Sequence, residues 1–418
     1  MNTLAIRSSV LLLCCAGVAA SAQDAARAYE AELAADAASR TSLAGEGGGA
    51  GYEKGKFSIY DGSKSNLLWI AGHIQTRYEM NFRDEDSVAN DSDDFTHGFS
   101  IRRTRLRFGG NIWDKALTYQ VQLDGDRSTG DITVIDAYAQ YKYENGIAVR
   151  WGQFKLPFLR EESISDNLQL AAETSVTHSV FTQSRSQGVQ IEKTADNWRI
   201  VGAFSDGFRT LNTSFDSAAE SDYALTARFD WMFAGNDFKR FDDFTSFRNQ
   251  EFAGDVGFAV HYQSGGETGG TLDRNSLSAT LDTQLEGKGW NAFAAAIYRD
   301  SEDDSVSDQQ HRQDYGLVIQ GGLFVSDQAE LFARGDILWQ DSDRRPAPTA
   351  DDTFRTITGG VNYYISPESH AFKFTGEVQY YIDPESDSAL VGRSTALGLL
   401  PDTEGGQFHL RLQLQVMF

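Results

Sequence analysis

From Leu67 to Phe418, apolar and polar side chains alternate along the chain. Over residues 68–82 one parity reads Leu68, Ile70, Gly72, Ile74, Thr76, Tyr78, Met80 and Phe82. The other reads Trp69, Ala71, His73, Gln75, Arg77, Glu79 and Asn81. A period of two with one apolar face predicts a β-strand, and this one is far longer than the ~5–6 residues usual in soluble proteins. The pattern recurs in about sixteen segments: roughly 67–82, 99–110, 117–124, 134–143, 147–154, 187–193, 198–205, 222–232, 252–262, 275–285, 290–299, 314–324, 329–340, 353–365, 371–381 and 407–418. Short turns such as Glu144-Asn145-Gly146 alternate with long polar loops, of which 155–186 is the longest. One connection, 233–251, falls where a short turn is expected and is long; it marks either an unusual turn or an error of register.

Strands of about 9–11 residues with one oily face, even in number and joined by short turns and long loops, predict a transmembrane barrel. Aromatics near strand ends fit interfacial girdles: Phe82, Phe99, Trp113, Trp151, Phe204, Trp231, Trp290, Trp339, Tyr363, Tyr364, Tyr380 and Tyr381. Composition agrees, with 39 Gly for turns, 6 Pro, and 27 Phe, 16 Tyr and 7 Trp. A net charge of -23 argues against a nucleic-acid partner. Residues 1–22 have the form of a signal peptide: Arg7, an apolar run from Ser8 to Gly17, and Ala20-Ser21-Ala22 at the cleavage site. Both cysteines lie in that segment, so the mature chain would have neither disulfides nor thiol chemistry. Residues 23–66 are expected to be a periplasmic stub. It would comprise an Ala-rich stretch, either a short helix or a tail over 23–44, and a flexible linker at Gly45–Gly51. The barrel is assigned to 67–418. An aromatic end at Phe418 resembles the sorting signal of the barrel-assembly machinery.

The block Gly98-Phe99-Ser100-Ile101-Arg102-Arg103-Thr104-Arg105-Leu106-Arg107-Phe108-Gly109-Gly110 resembles the second strand of the phosphate-selective porin O/P family. Trp151-Gly152-Gln153-Phe154-Lys155-Leu156-Pro157-Phe158 follows in family order, with Glu161, Glu162, Arg185–Gln190 and Gly359–Tyr364. The resemblance covers most of 67–418. It implies a sixteen-stranded barrel, a homotrimer, and a third outer loop folded into the channel. Family members selective for phosphate have a cationic channel; here acids outnumber bases, which puts that selectivity in question.

If Thr104, Leu106 and Phe108 face lipid, then Arg103, Arg105 and Arg107 face the lumen as a column ~13 Å long at roughly 3.3 Å per residue. Guanidinium forks bind oxyanions, and a cationic column favours anions. The competing expectation is that these arginines pair with lumen acids and only brace the wall. Arg150, Arg199, Arg228, Lys142, Lys373 and Arg411 share the predicted lumen face with Glu79, Asp124, Asp136, Glu192, Asp336 and Glu377. In the loop, Lys155, Arg160, Glu161, Glu162, Asp166, Glu173, His178 and Arg185 would line a constriction if it turns inward. Acid runs near 84–86, 91–94, 302–304 and 351–352 would share divalent cations with lipopolysaccharide, or simply solvate the loops. No hydrolase or metalloprotease motif is present.

The expectation is therefore an all-β transmembrane antiparallel barrel of about 16 strands in the bacterial outer membrane, not an enzyme and without cofactor. It would give passive diffusion of small hydrophilic solutes, including anions such as phosphate. Its partners would be those solutes, outer-membrane lipid and lipopolysaccharide, the barrel-assembly machinery through Phe418, and two further copies of itself. The alternative is a plugged structural or adhesive barrel that acts through its outer loops.

Overall fold

A computed structural model describes residues 47–53, 55–84, 94–125, 129–217, 219–265, 274–303, 311–391 and 397–418. The expected signal segment, the Ala-rich stretch 23–44 and most of the acid runs at 84–86 and 91–94 lie outside them. Two short strands, β1 (Gly49–Glu53) and β2 (Lys56–Tyr60), precede sixteen long ones. These are β3 (Leu67–Phe82), β4 (Phe95–Asn111), β5 (Leu117–Gly125), β6 (Ile132–Lys142), β7 (Ile147–Lys155), β8 (Arg185–Thr194), β9 (Trp198–Ser205), β10 (Tyr223–Ala234) and β11 (Ala253–Ser264). There follow β12 (Arg274–Gly287), β13 (Trp290–Asp303), β14 (His311–Phe324), β15 (Ala329–Trp339), β16 (Thr353–Tyr364), β17 (Phe372–Tyr381) and β18 (Phe408–Met417). Each predicted segment coincides with one of β3–β18.

Every strand pairs antiparallel with the next, and β18 returns to β3 from Phe408↔Phe82 to Met417↔His73. The result is a closed sixteen-stranded barrel. Closure ends in a reciprocal pair of backbone bonds between Gly72 and Phe418, at 2.7 and 3.0 Å. A side chain at Gly72 would lie 2.6 Å from the Arg105 carbonyl oxygen and 2.7 Å from the Phe418 ring, so only glycine fits there.

The barrel is oily outside and polar inside. On β10, Tyr223, Leu225, Phe229, Trp231 and Phe233 are exposed, while Thr226, Arg228 and Asp230 are buried. On β18, Leu412, Leu414 and Val416 are exposed, and His409, Arg411, Gln413 and Gln415 are buried. Hydrocarbon cannot satisfy polar groups, so this inversion with all backbone bonds made between strands is the arrangement a membrane demands. The same period corrects two aromatic assignments. Tyr363 and Tyr380 face outward, but their neighbours Tyr364 and Tyr381 are fully buried in the lumen. Adjacent residues of a strand point to opposite faces, so neither pair can lie wholly in a girdle.

Gly49–Gly51, the end of the expected flexible linker, lie instead in a strand of a hairpin that runs to Tyr60. β1 pairs with β2 from Gly49↔Tyr60 to Glu53↔Lys56, and β2 pairs with β3 from Phe57↔Ile70 to Tyr60↔Leu67. Because β18 stops opposite His73, the start of β3 would otherwise present a bare edge; the hairpin covers it. The long connection 235–252 also departs from an ordinary turn. It folds into the barrel and buries Phe238, Phe241, Phe244 and Phe247, while β10 and β11 on either side of it pair antiparallel with a bulge at Phe233.

Substituting Leu412→Arg on the lipid face should destabilise the barrel by ~2–4 kcal/mol, the cost of a cation facing hydrocarbon near the midplane. Urea unfolding in lipid vesicles measures it, and unchanged stability would contradict the assigned face.

Candidate functional site

Residues 156–184, between β7 and β8, turn inward and cross the lumen. Opposite charges hold the loop on two walls. On β10–β12, Arg160 meets three carboxylates: Nη2 lies 2.8 Å from Asp230 and 2.5 Å from Asp255, and Nε lies 2.7 Å from Asp282. Arg228 bonds Asp230 and Asp282 and donates to the Phe158 carbonyl at 2.9 Å. On β3–β4 the signs reverse. Asp166 of the loop takes Arg105 at 2.6 Å, Arg103 at 2.8 Å and His73 at 3.2 Å. Glu173 takes Arg102 at 2.5 Å, Arg77 at 2.7 Å and Arg103 at 2.8 Å. Arg102 and Arg103 reach the same carboxylate because a bulge in β4 lets Gln75 pair with Arg103 and Thr76 with Ile101, leaving Arg102 as the extra residue.

Between these anchors the loop exposes backbone that the wall satisfies. Gln415 donates to the Asn167 carbonyl at 3.0 Å, Lys373 to Gln169 at 3.0 Å and Asn362 to Leu170 at 2.8 Å. Arg77 donates to Ala172 at 2.6 Å and Arg334 to Glu173 at 2.8 Å. A loop in a barrel interior needs such partners for every buried carbonyl. Its return leg includes the helical turn Val176–Phe181, capped by the Ser175 side chain. Glu161 in turn accepts from the Ser175 backbone N–H at 2.6 Å and hydroxyl at 2.7 Å.

Apolar packing completes the filling. Ile164, Leu168, Leu170 and Ala171 of the loop pack with Phe244 of the inward connection and with Phe293, Ala295, Val318 and Phe332 of the wall. Phe158, Leu159, Val176, Val180 and Phe181 pack on Ile297, Leu338, Phe354 and Tyr381. Sequence reasoning missed this wall patch. The signal was present: in Ala292–Tyr298 both parities are apolar, and in a barrel that requires a partner on the inside.

Among the described residues, cavities remain beside the loop, two of them bordered by Lys155. The outer, of about 330 Å³, is lined by Arg102, Arg103, Arg105, Lys155, Arg185 and Arg209 against Glu161, Glu162, Asp166 and Glu173. The inner, of about 350 Å³, is lined by Arg107, Arg150, Lys155, Arg199 and Arg228 against Asp136, Glu192 and Asp242. Lys155 borders both, and its Nζ donates to the Glu162 carbonyl at 2.6 Å. Cations exceed acids in each lining, although the whole chain is strongly acidic.

The predicted site residues divide. Arg103 and Arg105 line the outer cavity and are bound to the loop acids Asp166 and Glu173. Glu162 accepts from His178 and Thr182, and Arg185 pairs with Asp136 at 2.9 Å. Arg160 lines neither cavity; it is buried at the start of the loop, against the three aspartates of β10–β12. Arg107 has no hydrogen bond or ion pair among the described residues and faces the inner cavity. Arg150 donates to Gln140 at 3.0 Å and lies 4.5 Å over the Tyr138 ring, again without a carboxylate among the described residues. Lys142, also predicted for the lumen, is exposed at a strand end.

Nearby cations hold the loop carboxyls of Glu162, Asp166 and Glu173 well below the ordinary carboxylate range, against the opposing effect of burial. Lys155 is the main cation at Glu162, Arg105 at Asp166, and Arg102 with Arg103 at Glu173. A depressed folded pKa contributes stability that is full above the unfolded value and lost as pH falls through the folded one.

The comparisons bear on this geometry. An anion-selective porin from Comamonas acidovorans is similar in structure, with TM-score 0.53, 11% identity, and 84% of this chain and 99% of that one covered. The outer membrane channel DcaP of Acinetobacter baumannii gives TM-score 0.56 at 12% identity, covering 84% and 97%. OmpT of Vibrio cholerae gives 0.52 at 14%, covering 85% and 99%. At these identities the likeness speaks to the fold. No curated protein sequence matches the chain.

Two outcomes follow for the loop. Arg160→Ala would leave the aspartate cluster one cation short, a loss of about 3–5 kcal/mol for a broken buried pair. The expected result is noisier open-channel current and new protease cuts within 156–184, with the β content unchanged by circular dichroism. Quiet current would contradict the anchoring role. The Asp166 and Glu173 clamp should hold from about pH 8 to 5 and loosen only below the ordinary carboxylate range, so protease cuts near Asp166 and Glu173 should appear only there; cuts at these positions near neutrality would contradict their pairing with the β3–β4 arginines.

The sequence matches the phosphate-selective porin O and P family over residues 73–415, and the chain belongs to that family of bacterial outer-membrane channels.

Proposed function

We propose that this chain lets small hydrophilic solutes diffuse across the outer membrane with a preference for anions such as phosphate. The observation that carries the preference is the pair Arg107 and Arg150, which face the inner cavity without carboxylate partners among the described residues. Cations on a narrow path between low-dielectric walls raise the local concentration of anions. Their planar forks match phosphate and carboxylate oxygens better than chloride. Solutes would pass from the outer cavity to the inner beside Lys155, which borders both.

The same proposal includes a homotrimer, supported by the trimer form solved for OmpT of Vibrio cholerae. It also includes recognition of Phe418 by the assembly machinery, supported by the residue's place at the closing seam. The alternative of a plugged barrel draws on the extent to which the loop and the 235–252 connection fill the lumen. Planar-bilayer conductance separates the two, since a plugged barrel carries no steady current.

In a potassium chloride gradient the reversal potential should show anion preference. Arg107→Gln with Arg150→Gln should reduce that preference several-fold and leave the barrel intact, because neither residue holds a loop acid. An unchanged reversal potential would remove these two residues from the selectivity argument.

A further inference from the structure

We propose that the outer mouth contains a second, separate binding site, for a small organic oxyanion: a phosphate or carboxylate head on a short apolar body. The site is a cavity of about 270 Å³ bordered by four guanidiniums, Arg209, Arg299, Arg312 and Arg344. They come from four different parts of the chain, so the fold rather than the local sequence brings them together.

Their counter-charges fall short. Asp314 is fully buried and is shared by two of them, taking Arg299 at 2.9 Å on one oxygen and Arg344 at 2.9 Å on the other. Glu302 borders the cavity with His311 3.7 Å away. Among the described residues, two carboxylates thus stand against four guanidiniums. Arg209 donates to the Ser179 carbonyl at 2.6 Å and pairs with no carboxylate among the described residues. Arg312 has no hydrogen bond or ion pair among them, and its Nε is buried without an acceptor. A buried donor left unmatched is costly, and an anion with two oxygens supplies what these groups lack.

The rest of the wall selects for more than a bare ion. Val180, Phe208 and Leu390 give the cavity an apolar side, which an inorganic ion would leave uncovered and a carbon body would fill. Arg299 is fixed in advance: it donates to the Val180 carbonyl at 3.2 Å and lies 5.0 Å over the Phe181 ring. Held donors cost less entropy on binding. Ser179 and Arg209 also border the outer cavity of the constriction. An anion held here is one step from the solute path.

Isothermal titration of the full chain in detergent tests the site without relying on conduction. The probes are phenyl phosphate, benzoate and inorganic phosphate. Phenyl phosphate should bind about tenfold or more tightly than inorganic phosphate, and Arg209→Gln with Arg312→Gln should weaken it by about as much. Benzoate binding more weakly than phenyl phosphate assigns the site to phosphate heads; equal binding assigns it to carboxylates as well. Arg107→Gln with Arg150→Gln should leave the affinity as it is. Equal binding of phenyl and inorganic phosphate overturns the proposal, as does an affinity indifferent to the Arg209/Arg312 pair. Loss through the Arg107/Arg150 pair overturns it too, because the ligand would then sit in the constriction.

Discussion

Two charge clamps of opposite sign hold one loop across the barrel, and the shape of the lumen depends on them. One wall offers arginines to Asp166 and Glu173; the other offers aspartates to Arg160. Each charge would cost several kcal/mol if buried alone. A loop that swung outward would strip both walls of their partners at once. A loop that entered reversed would set like charges against each other. The clamps add little net stability, because desolvation offsets most of the attraction, but they leave a single position in which every charge is matched.

That position decides which cations are left to meet a solute. Asp166 and Glu173 occupy Arg77, Arg102, Arg103 and Arg105, so the arginine column of β4 is largely consumed in holding the loop. Arg107, one step further along the same face, makes no hydrogen bond or ion pair with either acid. Arg150 is turned toward the Tyr138 ring instead of an acid. The positive character of the inner cavity is therefore what remains after the clamps are satisfied. This is why a chain of net charge -23 can present a cationic path: its acids serve as counter-ions inside and solvate the loops outside.

Much of this was legible in the residues. The alternation of β10 or β18 is a direct print of lipid on one side and water or loop on the other, so strand number, closure and the lumen face of Arg103, Arg105 and Arg107 could be read from period alone. The bulge at Arg102 could not, because an inserted residue changes pairing without leaving a break in the apolar pattern of β4. Nor could the Gly49–Tyr60 hairpin. Its strands are five residues long and its existence depends on where β18 happens to stop. Arg160 is expected at a constriction only as one of the residues of an inward-turning loop; its aspartates come from strands about 70 to 120 residues away in sequence, and no local pattern connects them.

The connection 235–252 has a physical explanation once the loop is in place. The tip of the loop carries Leu168 and Leu170, and the lumen wall beneath it carries Phe293 and Phe332. In a water-filled barrel these would be exposed apolar groups. The connection brings Phe244 to them from the opposite end, and its backbone N–H bonds the Leu168 carbonyl at 3.4 Å. Loop and wall therefore form one small core inside the barrel, and Phe244 of the connection closes it. A short turn at that point would leave the loop tip wet and its clamps loosened, so the anomalous length of the connection is a condition for the constriction on the far side of the lumen.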